Sequence, residues 1–303
     1  MTDLLPLTNL VPLARSQWRD LEQAHAARVD ELTRGRRERR VGRQLPHPVE
    51  DFLFSYYSLR PGQLRRWYPG VGVALADAPE RADWRFHRVL DHSSTGAPAA
   101  AVAVDVDAFR QARGSLLAFT ARLLAATSAA PAQFGCFGLH EWAMVYRQDP
   151  QLRRHSGRQL RLGQDGTDEV VRAHQIRCTH YDAFRFFTES ARPRNLLQPN
   201  LDSRAELEQP GCLHASMDVY KWAYKLLPAV PSELLVDCFV LAREIRELDM
   251  RASPYDLVDL GYPPVPIETV AGKAEYVAAQ RGFAADAQVL RQRLLQVVTG
   301  LLR

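Results

Sequence analysis

Residues 107–130 read DAFRQARGSLLAFTARLLAATSAA, with Phe109, Leu116, Phe119 and Leu123 recurring at steps of seven, three and four. That spacing is the signature of one apolar face on a helix, and Pro131 stops it. Working outward toward the C-terminus, the same period continues in segments from Leu139 to Arg147, Asp182 to Thr188, Leu213 to Leu227, Ser232 to Arg251 and Lys273 to Leu302. Ser232 follows Pro231 and has the chemistry of an N-cap. Toward the N-terminus the pattern changes. VGVALA, WRFHRVL and AAVAVDV are short β-like runs separated by APERAD and DHSSTGAP, which predicts a small β-rich segment near residues 71–106. Helical spacing returns from Pro12 to Arg40, through Trp18, Leu21, His25, Val29 and Leu32. The expected fold is therefore mainly α: a single domain over residues 1–303, a small β-rich segment, and a basic N-terminal helix or arm at residues 12–43.

Composition narrows the class. Of 303 residues, 46% are hydrophobic and 24% charged, proportions that support a packed core and exclude intrinsic disorder. Of the 39 cationic residues only Lys221, Lys225 and Lys273 are Lys, so Arg supplies nearly all the positive charge. Arginine's planar fork suits phosphate recognition. The densest run is RGRRERRVGR, where Arg34, Arg36, Arg37, Arg39, Arg40 and Arg43 form either a solvated helix end or an arm that contacts DNA phosphates. Cys136, Cys178, Cys212 and Cys238 lie far apart with no C-x-x-C pair, as expected of buried free thiols. No uninterrupted apolar run is long enough to span a bilayer, and MTDLLPLTNL lacks the form of a signal peptide. A cytoplasmic protein with no membrane partner and no obvious protein partner is expected.

Four segments concentrate His, carboxylate and aromatic residues. They are GLHEWAMVYR (His140, Glu141, Trp142, Tyr146), CTHYDAFRFF (His180, Tyr181, Asp182), CLHASMDVYKWAYK (His214, Asp218, Tyr220, Trp222) and HPVEDFLFSYY (His47, Glu50, Asp51). Any one His could be an ordinary hydrogen-bonded core residue, but buried ionisable groups in such number are costly unless paired or used. His214 and Asp218 stand four apart, on one helix face, as a candidate acid/base pair.

Two chemistries fit. In one, Glu141, Asp182 or Asp218 acts on a nucleobase held between aromatic rings, with His140, Trp142, Tyr146, His180, Tyr181, His214, Tyr220 and Trp222 lining the base site and no cofactor required. In the other, His140, His180, His214 and Glu141 hold iron or manganese in a two-histidine, one-carboxylate type of site, as in non-haem iron oxygenases acting on small molecules. Neither H-E-x-x-H nor E-x-x-H occurs among them. A non-catalytic DNA-binding protein using the Arg arm is a third possibility.

The segments HPVEDFLFSYYSLRPGQLRRW, FGLHEWAMVYR, CTHYDAFRFF, EQPGCLHASMDVYKWAYK and LDMRASPYDL resemble a group of bacterial proteins that carry the family name 3-methyladenine DNA glycosylase. The resemblance implies excision of alkylated purines from DNA. Such a base is cationic, so aromatic faces would hold it and a buried carboxylate would support the oxocarbenium-like sugar. Tyr68-Pro69-Gly70-Val71-Gly72 is similar to the Gly-rich hairpin of helix-hairpin-helix glycosylases, although Pro79 interrupts the second helix that such a motif needs.

Overall fold

The computed structural model describes residues 10–90, 100–153 and 157–303. The chain begins with β1 (Val11–Leu13), α1 (Arg15–Leu32), α2 (Arg34–Val41), α3 (Phe52–Tyr56) and α4 (Pro61–Leu64). Three strands follow: β2 (Val73–Ala76), β3 (His87–Leu90) and β4 (Ala101–Val104). Next come α5 (Val106–Ala129), α6 (Leu139–Ala143), α7 (Gly163–Ala173), α8 (Tyr181–Phe184) and α9 (Arg204–Leu207). The chain ends with α10 (Leu213–Lys225), α11 (Ser232–Arg251) and α12 (Val270–Leu302). Helix makes up 57% and strand only 7%, so the protein is mainly α, with three of the four strands of its small sheet in the expected place and β1 outside it.

The long helices form the core. α5 packs on α12, and α10 packs on both α11 and α12. The predicted face of α5 is partly realised, with Phe109, Leu117, Thr120, Leu123 and Leu124 buried. Asp105 caps its start by accepting a hydrogen bond from the Ala108 N–H at 3.0 Å. α10 is buried on nearly every side from Leu213 to Tyr220, which is the pattern of a central helix. Because α10 carries His214 and Asp218, its central position takes those groups out of water.

The sheet runs in the order β1-β2-β4-β3. β1 pairs parallel to β2, with Val11 opposite Val73, and β2 pairs antiparallel to β4, with Leu75 opposite Val102. The helix expected from Pro12 therefore starts only at Arg15, because Pro12 lies in an edge strand, a position proline tolerates. Ser232 is inside α11 rather than its cap: its hydroxyl accepts the Tyr68 N–H at 2.9 Å while Pro231 occupies the cap. The segments predicted as helical around residues 139–147 and 182–188 shorten to α6 and α8. The 68–72 hairpin leads into β2, not into a second helix, so the helix-hairpin-helix likeness is not structural. Its Gly70 has φ 84°, and a side chain there would strike Pro231. The DHSSTGAP stretch, residues 91–98, lies outside the described residues.

Candidate metal centre

α6, α10 and α11 bring His140, His214 and Asp249 together, each at most 5% exposed. The His140 and His214 rings meet edge to face with centroids 4.5 Å apart. His140 Nε2 stands 2.9 Å from Asp249 Oδ1. That is the separation of a hydrogen bond without its alignment, and both atoms are buried with no hydrogen-bond partner. One ligand atom from each of the three residues lies within 4.8 Å of the other two. The second Asp249 oxygen, Oδ2, accepts from Arg246 Nη1 at 2.8 Å, and the same nitrogen donates to Glu141 Oε1 at 2.8 Å. Arg246 itself is 1% exposed, its guanidinium 3.6 Å above the Phe52 ring centroid.

Beside this group lies a second. His180 is fully buried, with Nε2 3.3 Å from Asp218 Oδ2 and 3.4 Å from Glu208 Oε1. Asp218 accepts the Tyr57 hydroxyl on Oδ1 at 2.8 Å and Lys221 Nζ on Oδ2 at 3.0 Å. Lys221 also donates to Asp182 Oδ2 at 2.7 Å, and Asp182 in turn pairs with Arg204. The His180 and His214 rings lie 5.3 Å apart, so His214 touches the histidine of each group.

Burial and charge act against each other at these positions. Burial alone would strip the proton from His140, but the adjacent Asp249 carboxylate holds its pKa well above the usual range. Burial and the neighbouring His140 drive His214 well below it, leaving a neutral ring of the kind that ligates metals. Desolvation raises Asp218, yet Lys221 and His180 more than offset this and keep it ionised. Glu208 is raised, chiefly by burial.

A cavity of about 80 Å³ opens onto the first group. His140 and His214 share its wall with Cys136, Cys178, Cys212, Ile176 and Leu213, and Gln133, Thr179, Gln209 and Arg177 add polar groups. Burial lifts the Cys178 thiol to about 11, whereas His140 brings Cys136 below its ordinary value despite burial. Gln133 Oε1 is buried without a hydrogen-bond partner. The α6 segment that carries His140 is bracketed by left-handed residues, Phe137 at φ 45°, Gly138 at φ 69° and Arg147 at φ 50°. Non-glycine residues in that region are strained and concentrate at functional sites.

The other predicted residues are distributed differently. Glu141 belongs to Arg246 and to neither triad, and Asp249, not Glu141, is the carboxylate beside His140. Asp218 faces His180, not its helix neighbour His214, because His214 turns toward His140. Trp142 is fully buried, with its indole N–H donating to the Ala252 carbonyl at 2.9 Å. Tyr146 lies between Arg147 and Arg194, and Tyr220 packs edge-on against Tyr57 and Tyr224 and tilted against Phe239. Trp222 is covered by Lys221, Lys225 and Arg204. None of these rings lines the cavity; Tyr181 is half-buried and also outside it. These aromatics pack the core, which is where large rings at helical spacing gain most.

The Arg run is largely paired. Arg39 donates to Asp51 and Glu50 at 2.8 and 2.6 Å, Arg36 approaches Asp51 at 3.4 Å, Arg37 pairs with Asp30 at 2.9 Å and Arg34 with Glu31. Among the described residues no ion pair is found for Arg40 or Arg43. His47 serves the same network, its Nδ1 accepting the Val49 and Glu50 N–H groups while its own N–H donates to Asp51.

Asp249, Glu208 and Arg246 are the residues that the sequence reading did not single out. Glu208 and Asp249 stand inside EQPGCLHASM and LDMRASPYDL, and the i, i+3 spacing of Arg246 and Asp249 was the one local sign of a paired carboxylate. No family model, no curated protein and no solved structure matches the chain. Among the described residues no helix is long and apolar enough to cross a membrane.

Proposed function

We propose that the chain is a metal-dependent enzyme, of the non-haem iron or manganese type, that oxidises a small molecule with dioxygen. The observation that carries this reading is the pair of buried atoms without a hydrogen bond, His140 Nε2 and Asp249 Oδ1, 2.9 Å apart beside the neutral ring of His214. Buried polar groups almost always have partners, and an ion would give both atoms one. Ligands about 2.1 Å from a metal, at angles between octahedral and tetrahedral, stand ~3.0–3.4 Å apart, near the 2.9 Å found here. Two histidines and one carboxylate would hold such an ion, and the chemistry it would supply is activation of dioxygen.

The chain's own residues then have defined tasks. Arg246 holds Asp249 Oδ2 so that Oδ1 faces inward. Ile176 and Leu213 form an apolar wall that limits water, and Gln133 Oε1 offers an acceptor to a bound molecule. Excision of an alkylated base, implied by the sequence resemblance, is the second reading. It draws on Asp218, ionised and buried beside Lys221, but the cavity lacks the aromatic faces that would grip a cationic purine.

Metal analysis of protein purified without a tag tests the proposal. The expected result is at least one equivalent of iron or manganese per chain, reduced by one equivalent in His140→Gln and in Asp249→Asn. Metal-free wild-type protein that releases 3-methyladenine from alkylated DNA would establish the second reading instead.

A further inference from the structure

We propose that His180, Glu208 and Asp218 form a second metal site beside the first. This rests on reading His140, His214 and Asp249 as the first. The two sets share no residue, and each by itself offers three ligand atoms within 4.8 Å of one another. His180 is fully buried and neither of its ring nitrogens makes a hydrogen bond, and Glu208 Oε1 is likewise buried without one. The separations from His180 Nε2 are 3.3 Å to Asp218 Oδ2 and 3.4 Å to Glu208 Oε1. These are long for an N–H···O hydrogen bond but match the ~3.0–3.4 Å edge between two ligands of one ion.

Neighbouring groups hold both carboxylates in place. Tyr57 takes one Asp218 oxygen, and Lys221 takes only part of the other, since a carboxylate oxygen has two lone pairs. Arg204 Nε stands 3.0 Å from the same Glu208 oxygen, Oε1, without a hydrogen bond to it, and so takes only part of its capacity as Lys221 does on Asp218. Cations and hydroxyls placed behind ligating carboxylates orient them toward the metal. His214 contacts His140 on one side and His180 on the other, which makes the two sites neighbours.

The test is a metal count on untagged full-length protein, purified and then equilibrated anaerobically with Fe²⁺ alone or Mn²⁺ alone. Two equivalents per chain are expected in the wild type, falling to one in both His180→Gln and Glu208→Gln. One equivalent in the wild type, unchanged by those variants, would overturn the second site and leave the first standing. No bound metal at all would remove both. The wild-type count decides the matter even should a variant fail to fold.

Discussion

Arg246 is the residue on which the first triad depends most directly. Its Nη1 bridges Glu141 and Asp249, both nearly excluded from water. Replacing it with Gln keeps much of the stem but leaves two buried carboxylates without their cation, and breaking a buried pair from one side costs about 3–5 kcal/mol. We expect Arg246→Gln to lose stability on that scale in urea unfolding, and Arg246→Lys to recover only part, since an ammonium cannot reproduce the fork. A loss below about 0.5 kcal/mol would mean that water reaches the pair. At this scale the sequence was partly legible. His140, His180, His214 and Asp218 all converge, because a His or Asp on an otherwise apolar helix face must either pair or work.

At the scale of elements, the Arg run of α2 is a clamp onto the 47–51 turn more than an open arm. Asp51, 3% exposed, is pushed up by burial but held below its ordinary value by Arg39 and the His47 N–H. A folded pKa lower than the unfolded one contributes stability that is present above the unfolded value and is lost as pH falls through the folded value. Acidification from about pH 5 toward pH 2 should therefore erode the wild type more steeply than Asp51→Asn, whose stability is already lower at neutral pH. Parallel curves for the two proteins would show that the clamp contributes nothing. Arg36→Gln and Arg39→Gln should destabilise, whereas Arg40→Gln and Arg43→Gln should be within about 0.5 kcal/mol of wild type. Only the latter two can flatten the salt dependence of any DNA binding without unfolding α2, by about one unit of slope each.

For the whole molecule, the consequence of the proposed centre is that metal and fold are linked. α6, α10 and α11, His180 just before α8 and Glu208 just after α9 supply the ligands, so an ion present at 100 times its dissociation constant stabilises the assembled core by ~2.7 kcal/mol. Removing metal with a chelator should lower the thermal midpoint, and Fe²⁺ or Mn²⁺ added back should restore it. An unfolding midpoint that does not respond to either step would argue that the His and carboxylate groups are a purely internal ion-pair network.

The sequence by itself determined the helical scaffold, the place of the small sheet and most of the ionisable residues at its centre. Helical period is a local property, written in the spacing of residues such as Phe109, Leu116, Phe119 and Leu123 and readable without knowing any partner. Only the tertiary structure decided which carboxylate meets which histidine. Asp249 on α11 and His140 on α6 lie more than a hundred residues apart and meet only in the folded core, and Glu208 reaches His180 through a connection that has no period. It also decided that Trp142 and Tyr220 pack inside and that Pro12 joins a parallel strand pair. A ring at helical spacing looks the same in sequence whether it faces a ligand or another helix, and what it meets is set by the packing of distant elements.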